Sequence, residues 1–275
     1  MSKAFVARRV AAATAVALAT ALTLQPLAGA QDAQQQCPNE TQAPINGTAG
    51  DDVLNGTPQA DRILADAGDD VVNGLQGNDC LRGGTGFDEI TGAAGDDTIF
   101  GEGGPDDLGG GAGDDRIFGG EGFDFLSGGL GGDELHGEAG PDDLNGGRGA
   151  DTIDGGDGND FAEGGLGADR IDGGDDDDRL SGGDGPDRLY GDDGDDRLSG
   201  GLDGDRLSGG RGNDRIDGGD GRNSYFGGSG NDVIDAANGS VEGISCGSGR
   251  DVVRADLRDR VRGCERVFRL RLVNR

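Results

Sequence analysis

Gly83-Gly84-Thr85-Gly86-Phe87-Asp88-Glu89-Ile90-Thr91 and Gly209-Gly210-Arg211-Gly212-Asn213-Asp214-Arg215-Ile216-Asp217 are two copies of one nine-residue word, G-G-x-G-x-D-x-U-x, in which U is a large aliphatic residue. From Gly47 to Asp235 the word recurs 21 times with no insertion or deletion. Its first position is Gly in 20 copies, its fourth is Gly in 18, its sixth is Asp in 20, and its eighth is Leu, Ile or Val in 19. One aliphatic residue per nine cannot build an ordinary globular core, so the chain must fold as a stack of short turns.

Within the word the first six residues read as turn and the last three as a short strand. Glycine at positions one, two and four is suited to backbone with positive φ. In the strand the eighth residue points inward and its two neighbours outward. Two words therefore give turn, strand, turn, strand and close one flattened coil. Stacked coils form two parallel sheets with one aliphatic ladder each, an all-β parallel β-roll solenoid. The 21 words predict about ten coils, roughly 50 Å long at strand spacing.

Composition sets the next constraint. The chain has 54 acidic and 24 basic residues, a formal charge of −30, and no Trp. Such acidity disfavours nucleic acid as a partner, because phosphate recognition needs a basic surface. Most of the acidity sits at fixed register, so stacking brings the position-six aspartates of words n and n+2 one strand spacing apart. Carboxylates that close repel unless a cation lies between them. Two buried aliphatics per 18-residue coil also do not offset the chain entropy of ordering it. A ligand that binds only the folded coil is therefore needed. The oxygens on offer are carboxylates and turn carbonyls, with no His or Cys, a donor set that favours Ca2+ over zinc, copper or Mg2+.

This word resembles the repeat-in-toxin, or haemolysin-type, calcium-binding nonapeptide. The resemblance covers residues 47–235 and implies a β-roll with Ca2+ between successive turns on each edge, held by position-six aspartates and turn carbonyls. Carried over residue by residue, the metal-binding carboxylates would be Asp52, Asp61, Asp70, Asp79, Asp88, Asp97, Asp106, Asp115, Asp124, Asp133, Asp142, Asp151, Asp160, Asp169, Asp178, Asp187, Asp196, Asp205, Asp214 and Asp232. Pairing word n with n+2 across 21 words allows at most 19 inter-turn sites. Several words depart from the pattern. Asn223 replaces the Asp and Tyr225 the aliphatic in the word Gly218–Phe226, weakening two sites. Gln59, Asp176 and Asp203 replace the fourth Gly and should strain their turns, Ala162 should leave a small void, and residues 236–244 keep no Asp at position six.

Residues 1–30 read as a cleavable secretory signal: Lys3, Arg8 and Arg9, an apolar run from Val10 to Leu24, then Ala28-Gly29-Ala30. Arg8-Arg9 leaves general and twin-arginine export both open. Members of the resembled family usually leave by a one-step exporter that reads an uncleaved C-terminal signal, so this chain departs from them. A secreted or cell-surface location follows, with no membrane span in the mature chain. Residues 31–46 form an N-terminal lead-in, 47–235 the β-roll, and 236–275 degenerate repeats with a basic end. That end carries nine arginines after residue 249 against Asp251, Asp256, Asp259 and Glu265. It reads as a strand-rich cap, with a tail docking to anionic polymer as the alternative.

Four cysteines in an exported chain suggest two disulfides. Cys246 and Cys264 lie 18 residues apart, one coil, and share the second position of the extended register, so they should pair. Cys37 and Cys80 pair by elimination.

No catalytic constellation appears. His136, the only histidine, falls at the outward ninth position and reads as a solvated surface residue. Ser127, Ser181, Ser199 and Ser208 share that slot. Asp69-Asp70 and Asp195-Asp196 could suggest a glycosidase pair, but their fixed register favours a repeat role. Arg179, Arg188, Arg197, Arg206 and Arg215 at position seven should form exposed stripes that neutralise nearby aspartates or meet an anionic cell-envelope polymer or another surface protein. Phe100 and Phe118 should stack one coil apart. The reading is a secreted, non-enzymatic calcium-binding protein that folds on Ca2+ and acts structurally or adhesively. The alternative is the β-roll appendage or remnant of a secreted hydrolase or toxin. An ice-binding solenoid would want outward rows of Thr, where this chain offers Arg, Asp and Ser.

Overall fold

The computed structural model describes Cys37 and residues 43–270. The secretory-signal reading of residues 1–30 lies outside the described residues. Two parallel sheets of 13 strands each make up the described chain, odd strands in one and even strands in the other. Every coil thus contributes one strand to each sheet, and no described residue is helical. From Ile45↔Ile63 to Arg215↔Val233 each residue pairs with the one 18 further on. The two-word coil is therefore the structural unit.

The stack is longer than the ten coils expected, at thirteen and roughly 60 Å. Ile45–Asn46 adds a strand before the first word, and strands Gly243–Ser248, Val252–Asp256, Arg260–Arg262 and Arg266–Leu270 add coils after the last. Beyond Asp235 the spacing changes. Tyr225 pairs with Ile244 and Ile234 with Val253, 19 residues on, so one residue is inserted in that coil. Gly249-Arg250-Asp251-Val252-Val253-Arg254 then reads as the end of another word, one place out of frame.

Strands are also longer than three residues. A typical strand such as Glu89–Ala94 runs from position seven of one word to position three of the next. Its burial alternates through Ile90 and Gly92, so position one faces inward as position eight does. Only positions four to six are left for the turn. The interior holds an aliphatic ladder that includes Leu81, Ile99, Ile117, Leu135 and Ile153, all at most 1% exposed. Ala162 is buried within the second ladder between Leu144 and Leu180.

The glycines divide their work differently from the sequence expectation. Positive φ occurs at positions two and four, as at Gly84 (117°) and Gly86 (136°), and not at position one. Asp176 (φ 80°) and Asp203 (φ 71°) take the left-handed region at position four, the strain expected of them. Gln59 is not among the residues with positive φ, so the strain expected there is absent. Position one is Gly because it has no room. A Cβ on Gly155 would lie 2.4 Å from both Asp160 Oδ2 and the Gly173 carbonyl oxygen.

Both disulfides form, Cys37–Cys80 with Cα atoms 5.6 Å apart and Cys246–Cys264 at 5.3 Å. The second bridge does not join two second positions of one register. After the insertion Cys246 stands level with Gly227, a first position, because Phe226 pairs with Ser245 and Gly228 with Gly247. The next strand returns after 17 residues, Ile244 to Val261, and Cys264 still falls within bridging distance.

Candidate metal centre

At each edge of the solenoid the position-six aspartates stack in a column. Each carboxylate is committed on one oxygen. Asp70 N–H donates to Asp88 Oδ1 at 3.0 Å, Asp88 N–H to Asp106 Oδ1 at 2.9 Å, and Asp106 N–H to Asp124 Oδ1 at 2.8 Å. On the other edge Asp79 N–H donates to Asp97 Oδ1 at 2.7 Å, and the column continues to Asp187 and Asp205. Every aspartate from Asp70 to Asp232 at this position is at most 2% exposed.

The second oxygen is different. Oδ2 of each of these residues, from Asp70 and Asp79 through Asp214 and Asp232, is buried with no hydrogen-bond partner. An uncompensated carboxylate oxygen inside a protein is costly, and a whole column of them demands a counter-charge. From Asp79 onward each Oδ2 lies against the glycine at position one of its own word, and in many words the first-position carbonyl of the next coil approaches the same space. Beside Gly146 these are Asp151 Oδ2 and the Gly164 oxygen; beside Gly182 they are Asp187 Oδ2 and the Gly200 oxygen. Among the described residues no three carboxylate, imidazole or thiolate side chains converge on one point. A cation here would therefore be held by carboxylates together with backbone carbonyls. This all-oxygen donor set suits a hard cation of flexible coordination such as Ca2+.

The electrostatics point the same way. From Asp79 to Asp232 burial is the largest influence on these carboxyls and raises their pKa, the backbone amide bond pulls it back, and at most of them neighbouring acids raise it further. Asp97, Asp106 and Asp214 are raised to about 7, and Asp142 and Asp178 to about 8. Without a counter-charge the fold shifts these carboxyls toward their protonated forms.

The ends of the columns depart from this pattern. Asp52 Oδ2 accepts from Thr48 N (2.6 Å) and Thr48 Oγ1 (2.9 Å), and Asp61 Oδ2 from Thr57 N (2.5 Å) and Thr57 Oγ1 (2.8 Å). At Asn223 the amide Nδ2 donates to the Gly218 carbonyl at 2.9 Å, beside the Tyr225 hydroxyl. Past the last perfect word the columns go on. Asn223 N–H donates to Glu242 Oε1, Asp232 N–H to Asp251 Oδ1, Glu242 N–H to Asp259 Oδ1, and Asp251 N–H to Glu265 Oε2. Residues 236–244 have no Asp at position six, as the sequence shows, but the inserted residue brings Glu242 into the column. These four acids were missed because the nine-residue count fails after Asp235. The fragment Gly-x-Asp-x-Val at Gly249–Val253 was the signal that could have found one of them.

Outside the columns, the arginines at position seven form the stripes expected. Arg188 pairs in register with Arg206, and Arg197 with Arg179 and Arg215, all exposed. His136 is not a freely solvated side chain. It stacks on Phe118 at 4.9 Å, Phe118 stacks on Phe100 at 5.0 Å, and the Arg82 guanidinium lies 4.2 Å over Phe100. Burial alone would lower the imidazole pKa, but hydrogen bonds and charge from Asp154 and Glu134 outweigh it and raise the value.

The chain matches the RTX calcium-binding nonapeptide repeat, a family defined on four copies of the word, over residues 46–81, 75–108, 109–144, 136–171, 172–207 and 199–234. No curated protein matches it significantly. Among solved structures it is similar to a hyperactive, Ca2+-dependent, β-helical antifreeze protein from an Antarctic bacterium, at 21% identity and a TM-score of 0.46, over 76% of this chain and 78% of that one. No described helix is long and apolar enough to cross a membrane. With its repeats matched from residue 46 to 234, the chain belongs to the RTX calcium-binding nonapeptide-repeat family.

Proposed function

We propose that this chain is an exported, non-enzymatic protein whose fold is completed by Ca2+ held between coils, and that it serves a structural or adhesive role outside the cell. The observation that carries this reading is the column of buried, unpartnered Oδ2 atoms from Asp70 to Asp232. Those aspartates, with first-position carbonyls such as those of Gly164 and Gly200, would hold the ions and exchange a row of costly buried charges for charge-compensated oxygens. Asp52 and Asp61 would begin the columns with threonine already bonded to the inner oxygen. Calcium is scarce in cytosol and plentiful outside cells, so the coupling would delay folding until after export. The exposed arginine stripes support an anionic cell-envelope polymer as the partner of the folded rod.

Far-UV circular dichroism of the mature chain during Ca2+ titration tests the reading, with Mg2+ as control. A cooperative gain of β signal with Ca2+ and none with Mg2+ is expected. A chain fully β in excess chelator at pH 8, unchanged by Ca2+, would sink it.

A further inference from the structure

The two aspartate columns end differently where the recognised repeats run out, at residue 234. On the edge that carries Asp214 and Asp232, the open cradle persists for one more coil. A Cβ on Gly227 would meet Asp232 Oδ2 at 2.4 Å and the carbonyl oxygen of Cys246 at 2.4 Å. This is the arrangement found at Gly155 and Gly200, with Cys246 taking the place of the first-position glycine of the following coil. Asp232 is 0% exposed and its Oδ2 has no partner. Asp251, also 0% exposed, accepts the Asp232 amide on Oδ1 at 3.0 Å, and its Oδ2 is likewise buried and unpartnered. The Cys246–Cys264 disulfide ties this coil to the next and holds the Cys246 backbone in place.

On the opposite edge the protein fills the cradle itself. A Cβ on Gly218 would meet the Tyr225 hydroxyl at 2.1 Å and Asn223 Nδ2 at 2.5 Å, where every neighbouring word from Gly191 to Gly209 presents a carboxylate oxygen. Asn223 Nδ2 donates to the Gly218 carbonyl, and Asn223 Oδ1 accepts the Asp205 amide at 2.8 Å. An amide hydrogen thus stands where a cation would stand elsewhere, and the Asn223 side chain brings no charge to the cradle; the next acid of this column, Glu242, accepts the Asn223 amide and Asn238 Nδ2 on Oε1.

We infer that the C-terminal end holds a divalent-cation site that reaches past the recognised repeats, bounded by Asp232 of the last repeat and by the Cys246 carbonyl and Asp251 beyond it, while Asn223 and Tyr225 close the equivalent cradle on the other edge against metal. The inference rests on the calcium reading above and extends it to a site whose position the nine-residue count does not reach. The physical need is the same as in the repeats: two buried carboxylates with free oxygens one coil apart.

Native mass spectrometry of the mature chain in Ca2+ tests it by counting bound ions. Asp251→Asn should bind one ion fewer than wild type, and Asp251→Glu should keep the wild-type count. The double variant Asn223→Asp, Tyr225→Leu should bind one ion more, a gain that local unfolding cannot produce. An unchanged count in Asp251→Asn, with its circular dichroism intact, overturns the new site. No gain in the double variant overturns the closed cradle. A wild-type chain that binds no Ca2+ at all overturns the calcium reading itself and the site with it.

Discussion

The middle of the solenoid and its ends meet the same problem by different means. From Asp70 to Asp214 each word buries a carboxylate whose inner oxygen has no partner within the protein, two to a coil. At the start, Thr48 and Thr57 donate to the corresponding oxygens of Asp52 and Asp61; near the finish, Asn223 and Tyr225 replace the carboxylate altogether, and disulfides tie Cys37 to Cys80 and Cys246 to Cys264. The middle is built to need a ligand. The first coils carry their own donors, both ends carry covalent ties, and near the C-terminus one column is filled at Asn223 while the other stays open at Asp232 and Asp251.

Chelation should break the comparison most strongly. In excess EGTA at pH 8 most of the β signal should vanish by circular dichroism. Hydrogen exchange should show protection lost first between residues 70 and 214. Equal loss along the chain would show that the ends have no autonomy.

Acidification in EGTA should have the next largest effect. Buried aspartates such as Asp79, Asp142 and Asp178 have folded pKa values raised from 3.8 to between about 6 and about 8, so the folded chain holds protons that the unfolded chain releases. Their contribution to the metal-free fold is therefore greatest near pH 4 and is lost as the pH rises toward 8. The metal-free chain should gain β structure as the pH falls from 8 to 5, and Ca2+ binding near pH 7 should release protons, measurable with a pH indicator dye. A metal-free fold that strengthens toward pH 8 would contradict the assignment of these carboxyls as the source of instability.

Removing the Cys246–Cys264 bridge by serine substitution should cost the last coils about 3 kcal/mol, the usual value for a loop near this length. Faster amide exchange after residue 236, with the Ca2+ midpoint of the repeats unchanged, is the expected pattern. Filling a cradle should cost less. Gly164→Ala places a Cβ 2.5 Å from Asp169 Oδ2 and 2.6 Å from the Gly182 oxygen, for roughly 1–3 kcal/mol and a higher Ca2+ midpoint. Gly109→Ala, with nothing within 4 Å of the new atom, is its control and should leave that midpoint in place. The smallest effect belongs to Thr57→Val, which removes one donor from Asp61 Oδ2. It should cost about 0.5–1.5 kcal/mol in thermal unfolding. A much larger loss would show that the first coils nucleate the rest.

Most of the architecture is legible in the sequence alone. Nine-residue spacing determined which residues share a column, and strand alternation placed Leu81, Leu135 and their equivalents inside. The pairing of Cys246 with Cys264 was also correct, although the register invoked for it was not. The same spacing placed the aspartates of alternate words above one another and the arginines outside. It could not tell why position one is glycine, because the reason is a through-space approach of Asp160 Oδ2 and the Gly173 oxygen rather than a local dihedral preference. It treated His136 as solvated, because the face-to-face stack on Phe118 depends on rotamers that periodicity does not specify.

The repeat therefore sets the coil, its two faces and the stacked carboxylates as far as Asp232, since a strict period leaves each residue type only one place to stand. Tertiary structure alone decided which oxygens are left without partners, and so which cradles are open to a cation. Thr48 and Thr57 satisfy their carboxylates, Asn223 and Tyr225 fill a cradle, and a one-residue insertion brings Glu242 and Asp251 into line. Satisfaction of a buried charge depends on atoms brought together from neighbouring coils, and a count along the chain carries no record of them once the register slips.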